Sequence, residues 1–218
     1  MFVKICGITN EDDALLAVAM GADAVGFNFV QGSTRQIAAQ VAYDITRRLP
    51  PEILTVGIFR DEHPSRVLDV GHRAGVKAVQ LHGRETAADT QEVAKAFRWV
   101  IKAFSALDPN LPKADQYGTD MIMIDSPGGG SGKVFDWSLA GDAPDSVKLI
   151  LAGGLNPDNV GDAIGEVRPW GVDVATGVER SPGKKDALLV KRFIENARAH
   201  APEQYLGGDD LPYDWNDE

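Results

Sequence analysis

The sequence predicts an α/β protein folded as a single (β/α)8 barrel, and three observations carry that expectation. Eight short runs of apolar and β-branched residues recur along the 218-residue chain, their starts roughly 20–30 residues apart. Most gaps between them hold a segment with helical periodicity. The runs are apolar on both faces, which suits a parallel sheet covered by helices. Eight such units in about 200 residues match the compact end of the barrel's size range. An open, doubly wound sheet is the competing architecture. Against it, no G-x-G-x-x-G follows the first run, and the glycine-rich turns come late in the chain.

The expected strands are, in order, "FVKIC" (2–6), "AVGFNF" (24–29), "LTVGIF" (54–59), "KAVQLH" (77–82), "WVIKAF" (99–104), "MIMID" (121–125), "KLILA" (148–152) and "GVDVA" (171–175). The helical segments are "NEDDALLAVAM", with Thr9 as its N-cap, "AAQVAYDITRRL", "PSRVLDVGHRAG", "TQEVAKAF", "PDNVGDAIGEV", entered through Asn156 and Pro157, and "ALLVKRFIENARAH". Between Asp125 and Lys148 the chain is rich in loop formers, with room for one short helix around Trp137 to Ala140. The barrel domain is expected over residues 1–200. The acidic stretch 201–218 has no period and is expected to be a poorly ordered tail.

Composition narrows the function. A hydrophobic fraction of 44% supplies a core, and a single cysteine cannot form an internal disulfide. No apolar run approaches the ~20 residues of a membrane span, and "MFVKICGIT" lacks the layout of a secretion signal. The expected location is cytoplasmic, with no membrane partner. The formal net charge is −10, of which six acidic residues lie in 201–218, leaving about −4 for the rest. Such a balance argues against nucleic acid as a partner. A bound anion must then be held by local backbone dipoles or a few placed cations.

In a barrel of this kind the chemistry sits at the C-terminal ends of the strands. Those ends are polar here: Cys6 after strand one, Arg35 in the loop after strand two, Gln80 and His82 at strand four, Asp125 at strand six. The period of two places Lys4 and Cys6 on one face, and Met121, Met123 and Asp125 on one face, both directed to the barrel mouth. Each residue also has a plainer reading: a small buried thiol, a turn-capping carboxylate, a solvated arginine, a structural histidine. The glycine pair Gly153–Gly154 of "LAGGLNPDNV", followed one strand later by Thr176 and Gly177 of "VATGVERSPGKKD", matches the phosphate cradle that recurs after strands seven and eight. The four histidines, His63, His72, His82 and His200, show no paired spacing, and no nucleotide motif occurs. A site with neither metal nor cofactor is expected, working by acid and base on a phosphosugar.

Six motifs in order, "KICGIT", "GADAVGFNF" with "STRQI", "VQLHG", "IDSPGGGSGKVFDW", "LAGGLNPDNV" and "GVDVATGVERSPGKKD", resemble the phosphoribosylanthranilate isomerase family of tryptophan biosynthesis, over residues 2 to about 198. The resemblance implies an Amadori rearrangement of N-(5-phosphoribosyl)anthranilate to 1-(2-carboxyphenylamino)-1-deoxyribulose 5-phosphate. It implies Cys6 as general base, Asp125 as general acid, Arg35 as clamp for the anthranilate carboxylate and His82 near the aromatic ring. Gly153, Gly154, Thr176 and Gly177 then match the phosphate site, and Asp173 on the same strand as the last two is counted among the substrate-binding residues. The partner is a small phosphosugar, and the assembly a monomer or homodimer. Two departures stand out: Ala175 and Thr176 occupy positions where serines are common in the family, and "QGSTRQ" replaces a "PKSPRY" pattern.

The chemistry asks for the same residue types. Opening a furanose needs a proton on the ring oxygen, and loss of the C2 proton needs a base. An unperturbed thiol of pKa ~8.5 is only about 3% ionised at pH 7, so Cys6 is expected to have a lowered pKa, through Lys4 or the following helix N-terminus. Three rivals exist. A histidine-pathway isomerase uses a carboxylate on strand one, where this chain has Cys6. A Schiff-base aldolase needs an inward lysine, for which Lys102 is the mid-chain candidate. A non-catalytic phosphometabolite binder has no need to keep both Cys6 and Asp125.

Overall fold

The computed structural model describes residues 1–126 and 136–202. The acidic tail beyond 202 and most of the glycine-rich loop after Asp125 lie outside the described residues.

Eight parallel strands close into a barrel in sequence order. They are β1 (Phe2–Ile5), β2 (Ala24–Asn28), β3 (Leu54–Phe59), β4 (Ala78–Leu81), β5 (Trp99–Ser105), β6 (Met121–Asp125), β7 (Lys148–Leu151) and β8 (Gly171–Val174). Closure is made by β1 against β8, with Phe2 opposite Gly171 and Lys4 opposite Asp173. The helices are α1 (Glu11–Ala19), α2 (Ala39–Thr46), α3 (Pro64–Ala74), α4 (Ala87–Ala94), α5 (Val160–Val167) and α6 (Ala187–Ala199). After β5 and β6 the connection is a 3-10 segment instead, Leu111–Tyr117 and Trp137–Asp142. The first of these was not expected from the sequence; the second falls where one short helix was.

Strand parity sorts the core into two layers. Phe2, Ala24, Leu54, Val56, Ala78, Ile101, Met121, Met123 and Ile150 form one cluster, the barrel interior, closed at its base by Phe2 stacked on Trp170 at 4.6 Å. The alternate residues Val3, Ile5, Val25, Phe27, Val79 and Leu81 pack with the helices in a second cluster. Lys4 therefore shares the inward face, as its spacing from Cys6 requires, and Lys102 does not. Its neighbours Ile101 and Ala103 belong to the interior. The Lys102 ammonium turns to the carbonyls of Leu81, Gly83 and Ala103 and to Glu85 at 3.1 Å. An amine so occupied behind the strand is no Schiff-base nucleophile.

Three helix starts differ from the sequence expectation, each for a capping reason. α1 is capped by Asn10, whose side chain accepts from Asp13 N at 2.9 Å, while Thr9 donates instead to Gly183 O at 2.6 Å. α4 begins at Ala87, three residues ahead of "TQEVAKAF", because Thr86 and Asp89 form a capping box. α5 begins at Val160 rather than at Pro157. Asn156 Oδ1 accepts from Asp158 N and Asn159 N, which ties residues 156–159 into a turn before the helix starts.

Candidate active site

At the C-terminal ends of the strands, a cleft of about 200 Å³ is lined by Cys6, Arg35, Gln80, His82, Asp125 and Asp173, together with Gly153, Gly154, Thr176 and Gly177. It opens into a wider basin of about 800 Å³ through His82, Arg35 and Asp125. The residues that the family resemblance implies for the site are thus all brought to one cavity, whereas Lys102, the Schiff-base candidate, is not.

Cys6 lies one residue past β1. Its N–H still continues the ladder, donating to Val174 O at 2.8 Å, and Gly7 then turns the chain away at φ +76°. A side chain at Gly7 would run into the aliphatic stem of Arg35, so glycine here lets that arginine cross the strand end. The thiol does not have the lowered pKa expected of it. Burial pushes it up, and Lys4 and Lys185, which pull it down, do not overcome burial and the nearby Asp173 carboxylate. Lys4 is fully buried and held by Asp173 at 2.8 Å. Burial opposes its charge, but Asp173 and Cys6 outweigh burial and keep it protonated. Asp173 therefore faces the cavity with one oxygen committed to Lys4.

Asp125 is the last residue of β6. Its Oδ1 accepts from Ser126 N at 2.7 Å and Ser126 Oγ at 3.3 Å, and its Oδ2 faces His82 Nε2 at 3.1 Å. Behind the ring, Gln80 Nε2 meets His82 Nδ1 at 2.7 Å, giving a chain from Gln80 through His82 to Asp125. Gly153 adopts φ +87°, and a Cβ there would lie 2.8 Å from Asp125 Oδ1 and 2.5 Å from Ser126 N. Glycine at 153 thus allows the β7 loop to press against the carboxylate, in addition to shaping the cradle. Asn159 holds that cradle from below, donating to Gly154 O at 3.0 Å and accepting from Asn156 N at 2.8 Å. Opposite it, Thr176–Val178 form a 3-10 turn, whose first N–H groups have no carbonyl partner within the turn.

Arg35 is not an unoccupied clamp. Its Nε and Nη2 bind Glu179 in a two-pronged pair at 2.8 and 2.7 Å, and Nη2 reaches Thr176 Oγ1 at 3.1 Å. Lys185 joins the same carboxylate at 3.1 Å and also donates to the carbonyls of Cys6 and Ala175. Burial pushes the Glu179 carboxyl up, yet Arg35 and Lys185 together bring it below the usual range. Glu179 and Lys185 were not singled out from the sequence, although both lie in the quoted "GVERSPGKK". They face each other at the open end of a short antiparallel hairpin, β9 (Glu179–Ser181) with β10 (Lys184–Lys185), and a two-strand excursion this short leaves no periodic trace.

Among the described residues, no three His, Cys, Asp or Glu side chains are grouped as metal ligands, and no helix is long and apolar enough to cross a membrane.

Residues 3–196 match the N-(5'-phosphoribosyl)anthranilate (PRA) isomerase family. The chain belongs to this family. The N-(5'-phosphoribosyl)anthranilate isomerase of Desulforudis audaxviator is 50% identical over 204 residues, 90% of this chain and 97% of that protein. The phosphoribosylanthranilate isomerase structure from Thermus thermophilus superposes with a TM-score of 0.86 at 37% identity, covering 91% of this chain and 99% of that one. Another solved phosphoribosylanthranilate isomerase, at 42% identity and TM-score 0.80 over the same shares, is in complex with reduced 1-(o-carboxyphenylamino)-1-deoxyribulose 5-phosphate. The expected activity is thereby confirmed: as a phosphoribosylanthranilate isomerase the chain is an enzyme of tryptophan biosynthesis, and the closed barrel is the family's fold.

Proposed function

We propose that Cys6 is the general base and Asp125 the general acid of the isomerisation, working from opposite sides of one cleft. What supports this is that the cavity has a thiol from β1 and a carboxyl from β6 on its walls, with glycine-rich turns after β7 and β8 at its rim. In this reading the ribose phosphate lies on the N–H groups near Gly153, Gly154, Thr176 and Gly177, and the anthranilate end extends toward Arg35 and His82. Asp125 passes a proton from Oδ2 to the ribose ring oxygen, since Oδ1 is engaged by Ser126. The ring opens to a Schiff base, Cys6 as thiolate removes the C2 proton, and the resulting enolamine tautomerises to the ketone. Arg35 receives the substrate carboxylate with Glu179 fixing its plane, and Asp173 acts through Lys4 on the floor beneath Cys6.

The reading includes a cytoplasmic location, a phosphosugar as the only small-molecule partner, and an assembly no larger than a homodimer. One solved structure, at 41% identity, is of monomers generated from the dimeric phosphoribosylanthranilate isomerase of Thermotoga maritima. Loss of phosphoribosylanthranilate fluorescence, measured for wild type, Cys6→Ser and Asp125→Asn, tests the assignments. Both variants are expected to lose turnover by about 10²-fold or more while still binding a product analogue. Near-wild-type turnover in Cys6→Ser would remove Cys6 from the role of base, and in Asp125→Asn would remove Asp125 from the role of acid.

A further inference from the structure

We propose that Gln80 is a positioning residue for the acid: the orientation of its side-chain amide sets how many protons the His82–Asp125 pair carries. The proposal rests on the reading of Asp125 as general acid and goes one residue behind it.

Gln80 points inward from β4 and is 1% exposed. Its Nε2 lies 2.7 Å from His82 Nδ1 and 3.4 Å from Met123 Sδ, while its Oε1 is buried without a hydrogen-bond partner. A buried amide oxygen left unpaired loses its hydration without return, so this orientation is held against a penalty. A half-turn of the amide exchanges the two atoms and presents Oε1 to Nδ1. The groups along the chain then have to redistribute their protons.

The count follows from donor and acceptor rules. With Nε2 toward the ring, Nδ1 must accept, so the imidazole proton sits on Nε2 and fills the 3.1 Å contact with Asp125 Oδ2. Three sites, Nδ1, Nε2 and Oδ2, then hold one proton. With Oε1 toward the ring, Nδ1 must donate and therefore carries a proton. The Nε2–Oδ2 contact still needs one of its own, so the three sites hold two. The orientations differ by one proton, and the second is the loaded acid. Transfer from Oδ2 to the ribose ring oxygen leaves Nε2 and Oδ2 facing each other with lone pairs only. The ring, whose side chain is 27% exposed to the cavity, regains that proton from bulk water. Where instead the remaining proton leaves Nδ1 and one is taken up on Nε2 through solvent, the amide turns its NH2 group to Nδ1, which is the orientation in the structure.

Other ionisable groups face the pair: Cys6 from β1, Arg35 from beyond β2, Arg60 and Asp61 from beyond β3, Arg84 from beyond β4, Asp108 from beyond β5 and Asp173 from β8. Among the described residues, Lys102 and Glu85, paired behind β4, add to these. A change at Gln80 to methionine alters none of these charges, so a response of the ring to that change belongs to the amide.

The test is the ¹⁵N spectrum of the His82 ring, with steady-state kinetics, in wild type, Gln80→Met and Gln80→Glu. The glutamate, once ionised, can only accept, and is expected to hold the ring proton on Nδ1, whereas the wild-type amide orientation places it on Nε2. Methionine offers neither donor nor acceptor. It is expected to lower kcat by about tenfold with KM and product-analogue affinity little changed. Retained analogue binding shows that the variants are folded. Identical His82 spectra in all three proteins, or a Gln80→Met loss confined to KM, would overturn the proposal. Asp125→Asn separates the layers: if it abolishes turnover while the Gln80 variants behave as wild type, only the amide's role fails, whereas an active Asp125→Asn removes the acid assignment beneath it.

Discussion

Burial and two ammonium groups pull the Cys6 thiol in opposite directions, and burial prevails. The sign of the consequence is definite. A thiol whose pKa is raised is mostly protonated at neutral pH, so its thiolate, the form that acts as base, is a minor species there, and alkylation by iodoacetamide rises chiefly as pH climbs beyond the ordinary thiol range. Removing the Lys4 charge takes away a pull downward, so Lys4→Met is expected to move the alkylation midpoint still higher; an unchanged midpoint would show that Lys4 does not act on the thiol. The same competition occurs at Arg35, whose guanidinium already has a carboxylate partner. Glu179→Gln keeps the shape but removes the charge that fixes the guanidinium plane. Its expected effect is a rise in KM of about tenfold with kcat changed less, seen in initial rates against substrate concentration. A fall in kcat alone would mean that Glu179 serves the chemistry and not the clamp. Sequence spacing could bring Cys6, Arg35 and Asp125 to one mouth because parity and strand ends are local. It could not give the sign of the Cys6 shift, which is set by burial in the folded barrel, with Asp173 and Lys185, both far away in sequence, adding opposite contributions.

The pairing of β1 with β8 closes the barrel, and one of its inward rungs carries opposite charges. Lys4 and Asp173 are register partners, 2.8 Å apart, with Lys4 without exposure. A buried pair of this kind adds little over an apolar replacement, but losing one partner strands the other. Asp173→Leu alone is expected to lower unfolding stability by about 3–5 kcal/mol, and Lys4→Met combined with Asp173→Leu to recover a large part of that loss. Urea unfolding of the two single variants and the double provides the cycle; additive losses would show that the two charges are not coupled. The strands were legible because their apolar runs are bounded by turn residues, and their observed ends lie within a residue of the runs. The helix starts were less so. Which of two adjacent residues caps α1, Asn10 over Thr9, is decided by contacts such as Thr9 with Gly183 that no local window contains.

At the scale of the molecule, an enzyme with a formal net charge of −10 must capture a substrate that carries both a phosphate and a carboxylate. The long-range field is repulsive, and in the proposed reading capture falls to short-range groups: backbone N–H groups of two turns and an arginine tied to Glu179. Charges farther apart than about 10 Å are screened at 0.1 M salt, whereas contacts inside the cleft are screened much less. Adding sodium chloride from about 10 mM to about 0.15 M should therefore weaken the repulsion more than it weakens the site. The expected outcome is a kcat/KM that stays level or rises by up to about threefold over that range, with kcat unchanged. Electrostatic attraction by a basic mouth has the opposite sign, and a severalfold fall in kcat/KM would show that Arg60 and Arg84 at the outer basin steer the substrate in, against the molecule's net charge.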